Sequence, residues 1–120
     1  MSVKKGKMMK RINLSDFCSM SYKNALRRFS ETECKDVLNM LKHCNGEVVE
    51  SMDAYKDLEK ISITQIEYEQ KKKAFAMELA DIITCVLTLS YANNIDIEQA
   101  LIDVYYKNAT REDLGMRNGI

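Results

Sequence analysis

Carboxylates are the residues with the most chemistry to offer in this 120-residue chain. Four pairs of acids stand three residues apart: Glu33/Asp36, Glu47/Glu50, Glu50/Asp53 and Glu78/Asp81. On a helix that spacing makes neighbours, but 18 acids in 120 positions supply about 2.6 such pairs by chance. Context must choose among them. Between Ala74 and Ile95, Glu78 and Asp81 are the only charged residues, set among Phe75, Leu79, Ile82, Ile83, Val86 and Leu89. At helical spacing they lie about 60° apart, on the edge of the Phe75, Ile82 and Val86 stripe. An unpaired carboxylate there costs several kcal/mol if buried, so a stable fold needs a partner for it. The alternative is that both acids face solvent or meet a lysine across the bundle.

Glu47 and Glu50 repeat the geometry around Val48 and Val49, on the border of a Val37, Cys44, Val48 and Tyr55 face. If the two helices pack antiparallel, these borders converge into one site of four negative charges. Such a cluster needs a cation. Ligands that are all oxygen select a hard ion, Mg²⁺ or Mn²⁺, over zinc. His43 stands four residues before Glu47, on the same helical stripe. It reads either as a partner of that carboxylate or as a lone exposed histidine. Asp53 and Asp57 belong to the solvated surface.

The elements that must position these groups are helices. A first helix is expected from about Ser15 to Phe29, capped by Asn13 or Ser15 and turning Phe17, Met20, Ala25 and Leu26 inward. Ser30 followed by Glu33 has the form of a capping box, from which a second helix can run to about Leu58. Gly46 interrupts it, at about 1 kcal/mol relative to Ala. Lys60 to Lys73 mixes β-branched and charged residues and reads as an irregular connection with room for a short helical turn. A third helix is expected over about Lys72 to Ala92, stopped by Asn93-Asn94, and a fourth from an Asp96 cap to about Asn108. Met40, Met52 and Met77 read as core filler, and Tyr105 by its spacing as core. Residues 1–12 form a basic tail with Lys4, Lys5, Lys7, Lys10 and Arg11; 13–111 make one helical domain; 112–120 form a loose end.

Composition sets the frame. Lys+Arg and Asp+Glu balance at 18 each, which gives no general attraction to nucleic acid or membranes. The basic tail is read as solvated, with nucleic-acid contact as the minority view. No proline and only four glycines argue against a loop-rich sandwich or a Gly-lined nucleotide fold. The chain is too short for a two-domain enzyme and too hydrophobic for disorder. Cys18, Cys34, Cys44 and Cys85 form no CxxC pair, so free thiols in a reducing cytosol are expected. The 14 charge-free residues from Ile82 to Ile95 fall short of the roughly 20 needed to span a bilayer, so a buried core helix is expected. The fold class is all-α, with four to five helices.

Gly46-Glu47-Val48-Val49-Glu50, followed 28 positions after Glu50 by Glu78-Leu79-Ala80-Asp81, resembles the two-part acidic signature of MazG-like all-α nucleoside triphosphate pyrophosphohydrolases. The common signature is Glu-Glu-x-x-Glu and then Glu-x-x-Asp. Gly46 in place of the first Glu is similar to the dCTP-pyrophosphatase branch. Asn94 to Leu101 resembles the family's turn into its last helix, and Lys107-Asn108 with Arg111 its basic C-terminal element. The likeness covers about Leu38 to Arg111.

The resemblance implies Mg²⁺-dependent hydrolysis of (deoxy)nucleoside triphosphates to a nucleoside monophosphate and pyrophosphate. Glu47, Glu50, Glu78 and Asp81 would hold the metal. Glu50 or Glu47 would orient or deprotonate the water, and Lys107, Asn108 and Arg111 would grip phosphate oxygens. A few short helices seldom enclose a whole nucleotide, so a homodimer or homotetramer is expected whose long antiparallel second and third helices share a four-helix core, and the free thiols place it in the cytoplasm. The other reading is a non-catalytic helical interaction module on the same scaffold.

Overall fold

The structure, a computed structural model, describes residues 11–60 and 63–111. It is all-helical, with no strand among the described residues. Among the described residues five helices follow in order: α1 Leu14–Ala25, α2 Glu31–Lys35, α3 Val37–Leu58, α4 Gln65–Ala92 and α5 Ile97–Thr110. The tail of residues 1–10, with its four lysines, and the end at 112–120 lie outside the described residues.

Caps explain most of the boundaries. Asn13 Oδ1 accepts from Asp16 N at 2.8 Å and starts α1. The helix ends earlier than the expected Phe29: Arg27 N reaches back only to Asn24 O, and Arg28 N to Ala25 O. That tightening leaves Arg28 and Phe29 on a turn. The Ser30/Glu33 capping box forms, but the helix it opens lasts five residues. Asp36 takes an extended ψ of 95° and accepts from Asn39 N at 3.1 Å, so one expected helix is two. A short acceptor side chain competes with helix continuation and starts a new helix instead.

Of the expected irregular connection Lys60 to Lys73, residues 65–73 are helix. Thr64 and Glu67 form a second capping box, with Thr64 N to Glu67 Oε1 at 2.9 Å and Glu67 N to Thr64 Oγ1 at 3.1 Å. From there α4 runs 28 residues, about 42 Å. It closes as expected at Asn93-Asn94. Asn94 is left-handed (φ 57°), Ile95 N bonds Ser90 O at 2.8 Å and Asn94 N bonds Tyr91 O at 3.3 Å. This is a Schellman ending built on Asn in place of Gly. Asp96 then caps α5 through Gln99 N at 2.9 Å.

α4 is the central rod. Met40 and Cys44 of α3 pack on Cys85 and Leu89 of α4, with Val86 against them. Further along, the Tyr55 and Phe75 rings lie 5.6 Å apart. As residue numbers rise along α3 they fall along α4, so the two helices are antiparallel. A second cluster joins Ala25, Cys34 and Ala92, with Tyr22 and Phe29 beside it. All four cysteines are free thiols and buried.

Two expectations about apolar residues change. Met40 is core at 1% exposure, but Met52 and Met77 (60%) face outward, as does Tyr105 (65%). None of the α5 residues is buried, and Leu101, Ile102, Val104, Tyr105 and Tyr106 are all exposed on it. The expectation that the apolar stretch is too short to span a bilayer holds only for its charge-free run. By length and composition the whole of α4 is long and apolar enough to cross a membrane. In this fold its C-terminal half carries residues of both core clusters.

Candidate metal centre

Glu47 and Glu50 share one face of α3 because they are one turn apart. The antiparallel register set by the Met40/Leu89 and Tyr55/Phe75 contacts brings Glu78 of α4 opposite them. One carboxylate oxygen from each of Glu47, Glu50 and Glu78 lies within 4.8 Å of the others. Glu47 and Glu78 are half-buried and Glu50 is exposed. Glu47 Oε1 and Glu78 Oε1 are both buried without a hydrogen-bond partner. Orphaned carboxylate oxygens at the meeting point of three acids leave the charge unbalanced.

The imbalance is visible in Glu78. Burial pushes its carboxyl above the usual glutamate range, reinforced by the charges of Glu50, Asp81 and Glu47 and by a hydrogen bond to Glu50. Each of these causes makes the charged form of Glu78 harder to hold.

Asp81, expected as a fourth ligand, stands slightly apart. It is exposed and does not join the three-oxygen group, but it lines a cavity of about 70 Å³ together with Glu47. Its charge still reaches Glu78. His43 Nε2 lies 3.3 Å from Glu47 Oε2, so the histidine is a partner of the carboxylate. The imidazole is held edge-on to Phe29, with ring centres 5.2 Å apart. Asp57 pairs with Lys60 at 3.2 Å and Asp53 is exposed, both on the solvated surface as expected.

The basic C-terminal residues do not come to this cavity. Lys107 and Asn108 are exposed on α5 and Arg111 just beyond it, where Arg111 Nη1 donates to Asn108 Oδ1 at 3.3 Å. None of the three lines the cavity. The cation that does is Arg28, from the turn after α1. Sequence reasoning passed over it because an arginine 19 positions before Glu47 carries no local signal of its destination. On the other flank of the acids, Ser51, Met52, Tyr55, Phe75 and Leu79 border a mainly apolar groove of about 410 Å³.

The donor set fits a hard divalent cation: three carboxylates, no sulfur or nitrogen donor among them, and two oxygens with nothing to bond. The fold and site together define an all-α protein with an interhelical carboxylate centre. No protein-family model, no curated protein and no solved structure matches this chain.

Proposed function

We propose that this chain is a MazG-like, Mg²⁺-dependent nucleoside triphosphate pyrophosphohydrolase, releasing a nucleoside monophosphate and pyrophosphate. One observation carries the reading: Glu47, Glu50 and Glu78 converge with two buried oxygens unsatisfied. A solvated acidic face has no reason to bury those atoms. The sequence order of the acids, Gly-Glu-x-x-Glu then Glu-x-x-Asp, agrees with it.

When bound, Mg²⁺ (or Mn²⁺) supplies positive charge against the phosphates and makes a nearby water more acidic. Glu47 and Glu78, the half-buried pair, hold the cation with Glu50. Glu50 is the exposed member and is therefore placed to orient the attacking water. Asp81 stays outside that set, on the cavity side, and adds its charge to it. His43 fixes the Glu47 carboxylate through its 3.3 Å contact. The apolar groove beside Ser51 and Leu79 is large enough for a nucleoside base.

The unburied α5 and the apolar outer face of α3 support a homodimer or homotetramer, in which α3 and α4 share a four-helix core with a second copy. We place the protein in the cytoplasm, with nucleoside triphosphates as its partners and neither nucleic acid nor membrane among them. The test is pyrophosphate release with Mg²⁺ across a panel of standard and modified nucleotides. Release from at least one, abolished in Glu50→Gln, supports the assignment; none from any would remove it.

A second reading, a non-catalytic interaction module, draws on the same exposed apolar α5 and on the distance of Lys107 and Arg111 from the cavity lining. It predicts a protein whose melting ignores both Mg²⁺ and a non-hydrolysable nucleotide.

A further inference from the structure

The cavity beside Glu47 is built from three separate parts of the chain. The turn after α1 supplies Arg28 and Phe29, α3 supplies His43 and Glu47, and α4 supplies Asp81 and Thr88 among others. At about 70 Å³ it holds several waters or one tetrahedral oxyanion. Two of its groups can bind an oxyanion. Arg28 makes no ion pair among the described residues; its guanidinium carbon rests 5.2 Å from the centre of the Phe29 ring. Thr88, 3% exposed, stands on the cavity wall. The neighbouring Thr84 hydroxyl donates to Asp81 O at 3.0 Å.

The buried oxygen without a partner on this wall is Glu47 Oε1, which calls for a cation, and the Thr88 hydroxyl can donate to an acceptor that the cation brings with it. An arginine fork at the same wall suits a bidentate oxyanion. The carboxylates of Glu47 and Asp81 line the same space, so an anion enters only with a cation that offsets them. These demands are met together by a phosphoryl group bridged to a divalent ion.

We propose that the Arg28–Thr88 cavity is the phosphoryl subsite of this protein, with Arg28 gripping and Thr88 donating to oxygens of a phosphate chain held by the cation at Glu47. The inference rests on the metal-centre reading above. It places the phosphate grip at the end of α1 and on α4, in place of Lys107, Asn108 and Arg111 on and beyond α5.

The test titrates inorganic pyrophosphate calorimetrically into the full chain saturated with Mg²⁺, and follows Mn²⁺ binding alone by electron paramagnetic resonance. Arg28→Met is expected to weaken pyrophosphate at least tenfold and Thr88→Val severalfold, with Mn²⁺ affinity unchanged in both. Arg27→Met makes the same charge change one residue away, outside the cavity lining, and is expected to leave pyrophosphate binding as it was. Thr88→Val keeps the side-chain shape, and a melting curve at or above the parent's verifies that it folds. A non-hydrolysable nucleoside triphosphate losing affinity in step with pyrophosphate identifies a substrate's own phosphates as the occupant; pyrophosphate alone losing it identifies the free product, with the subsite standing either way. Pyrophosphate binding equally tight in Arg28→Met and the parent, with Mn²⁺ bound to both, overturns the subsite and leaves the metal centre intact. Failure of the parent to bind Mn²⁺ overturns the metal centre and the subsite together.

Discussion

Replacing Glu78 by Gln probes the acidic centre most directly, because Glu78 has both the raised carboxyl and one of the unsatisfied oxygens. In the metal-free protein its raised carboxyl pKa stabilises the fold at acidic pH. That contribution is complete below the range where Glu78 titrates in the unfolded chain, and is lost as pH rises through the raised folded value. The parent protein without metal should therefore melt lower at neutral pH than in mild acid. Glu78→Gln should flatten this dependence and melt higher than the parent at pH 7, since like-charge repulsion falls.

Mg²⁺ reverses the order. At a hundred times its dissociation constant a bound ion adds about 2.7 kcal/mol, or about 10 °C in Tm for a domain of this size. If losing one of three carboxylate ligands weakens binding a hundredfold, the same Mg²⁺ leaves only about 0.4 kcal/mol in the variant. Differential scanning fluorimetry across pH, with and without Mg²⁺, reads both effects at once. A variant that gains as many degrees from Mg²⁺ as the parent would refute the three-carboxylate centre. So would a parent whose metal-free melting temperature rises steadily from pH 5 to pH 7 while the variant's tracks it.

The fold makes its own predictions. Met40→Ala empties a site that is 1% exposed at the α3–α4 contact, so urea unfolding should show a loss of about 2–5 kcal/mol. A Cβ on Gly46 meets nothing within 4 Å, so Gly46→Ala should stabilise the isolated protomer by about 1 kcal/mol in the same assay. A loss instead would show that something approaches this exposed helix face in solution. Asn94 sits at φ 57°, so Asn94→Gly should be nearly neutral, while Asn94→Val should cost about 1–2 kcal/mol and lower Tm.

Helices and their ends were legible because the forces that make them act within one turn. The Ser30/Glu33 box, the Asn93-Asn94 stop and the Asp96 cap are each complete inside a few residues. The Thr64/Glu67 box was equally local, but Ile61, Ile63 and Ile66 around it disguised it as strand-like connection. Asp36 shows the limit of the same logic, since an acid inside a helical run either caps or continues, and packing decides which. The acid pairs too were readable one helix at a time, since three residues on a helix always make neighbours.

Their convergence was not readable. That Glu78 meets Glu47 and Glu50 while Asp81 turns to the adjoining cavity depends on the sliding register of α3 against α4, fixed by Met40, Cys44, Cys85 and Leu89 packing tens of residues apart. Arg28 arrives at the cavity only because α1 tightens and ends before it, and Lys107 and Arg111 stay away from its lining because nothing among the described residues buries α5. Hydrogen bonds within a turn carry their instructions in adjacent residues. Contacts between rods are chosen by the shape of whole faces, and only the assembled tertiary structure brings those faces together.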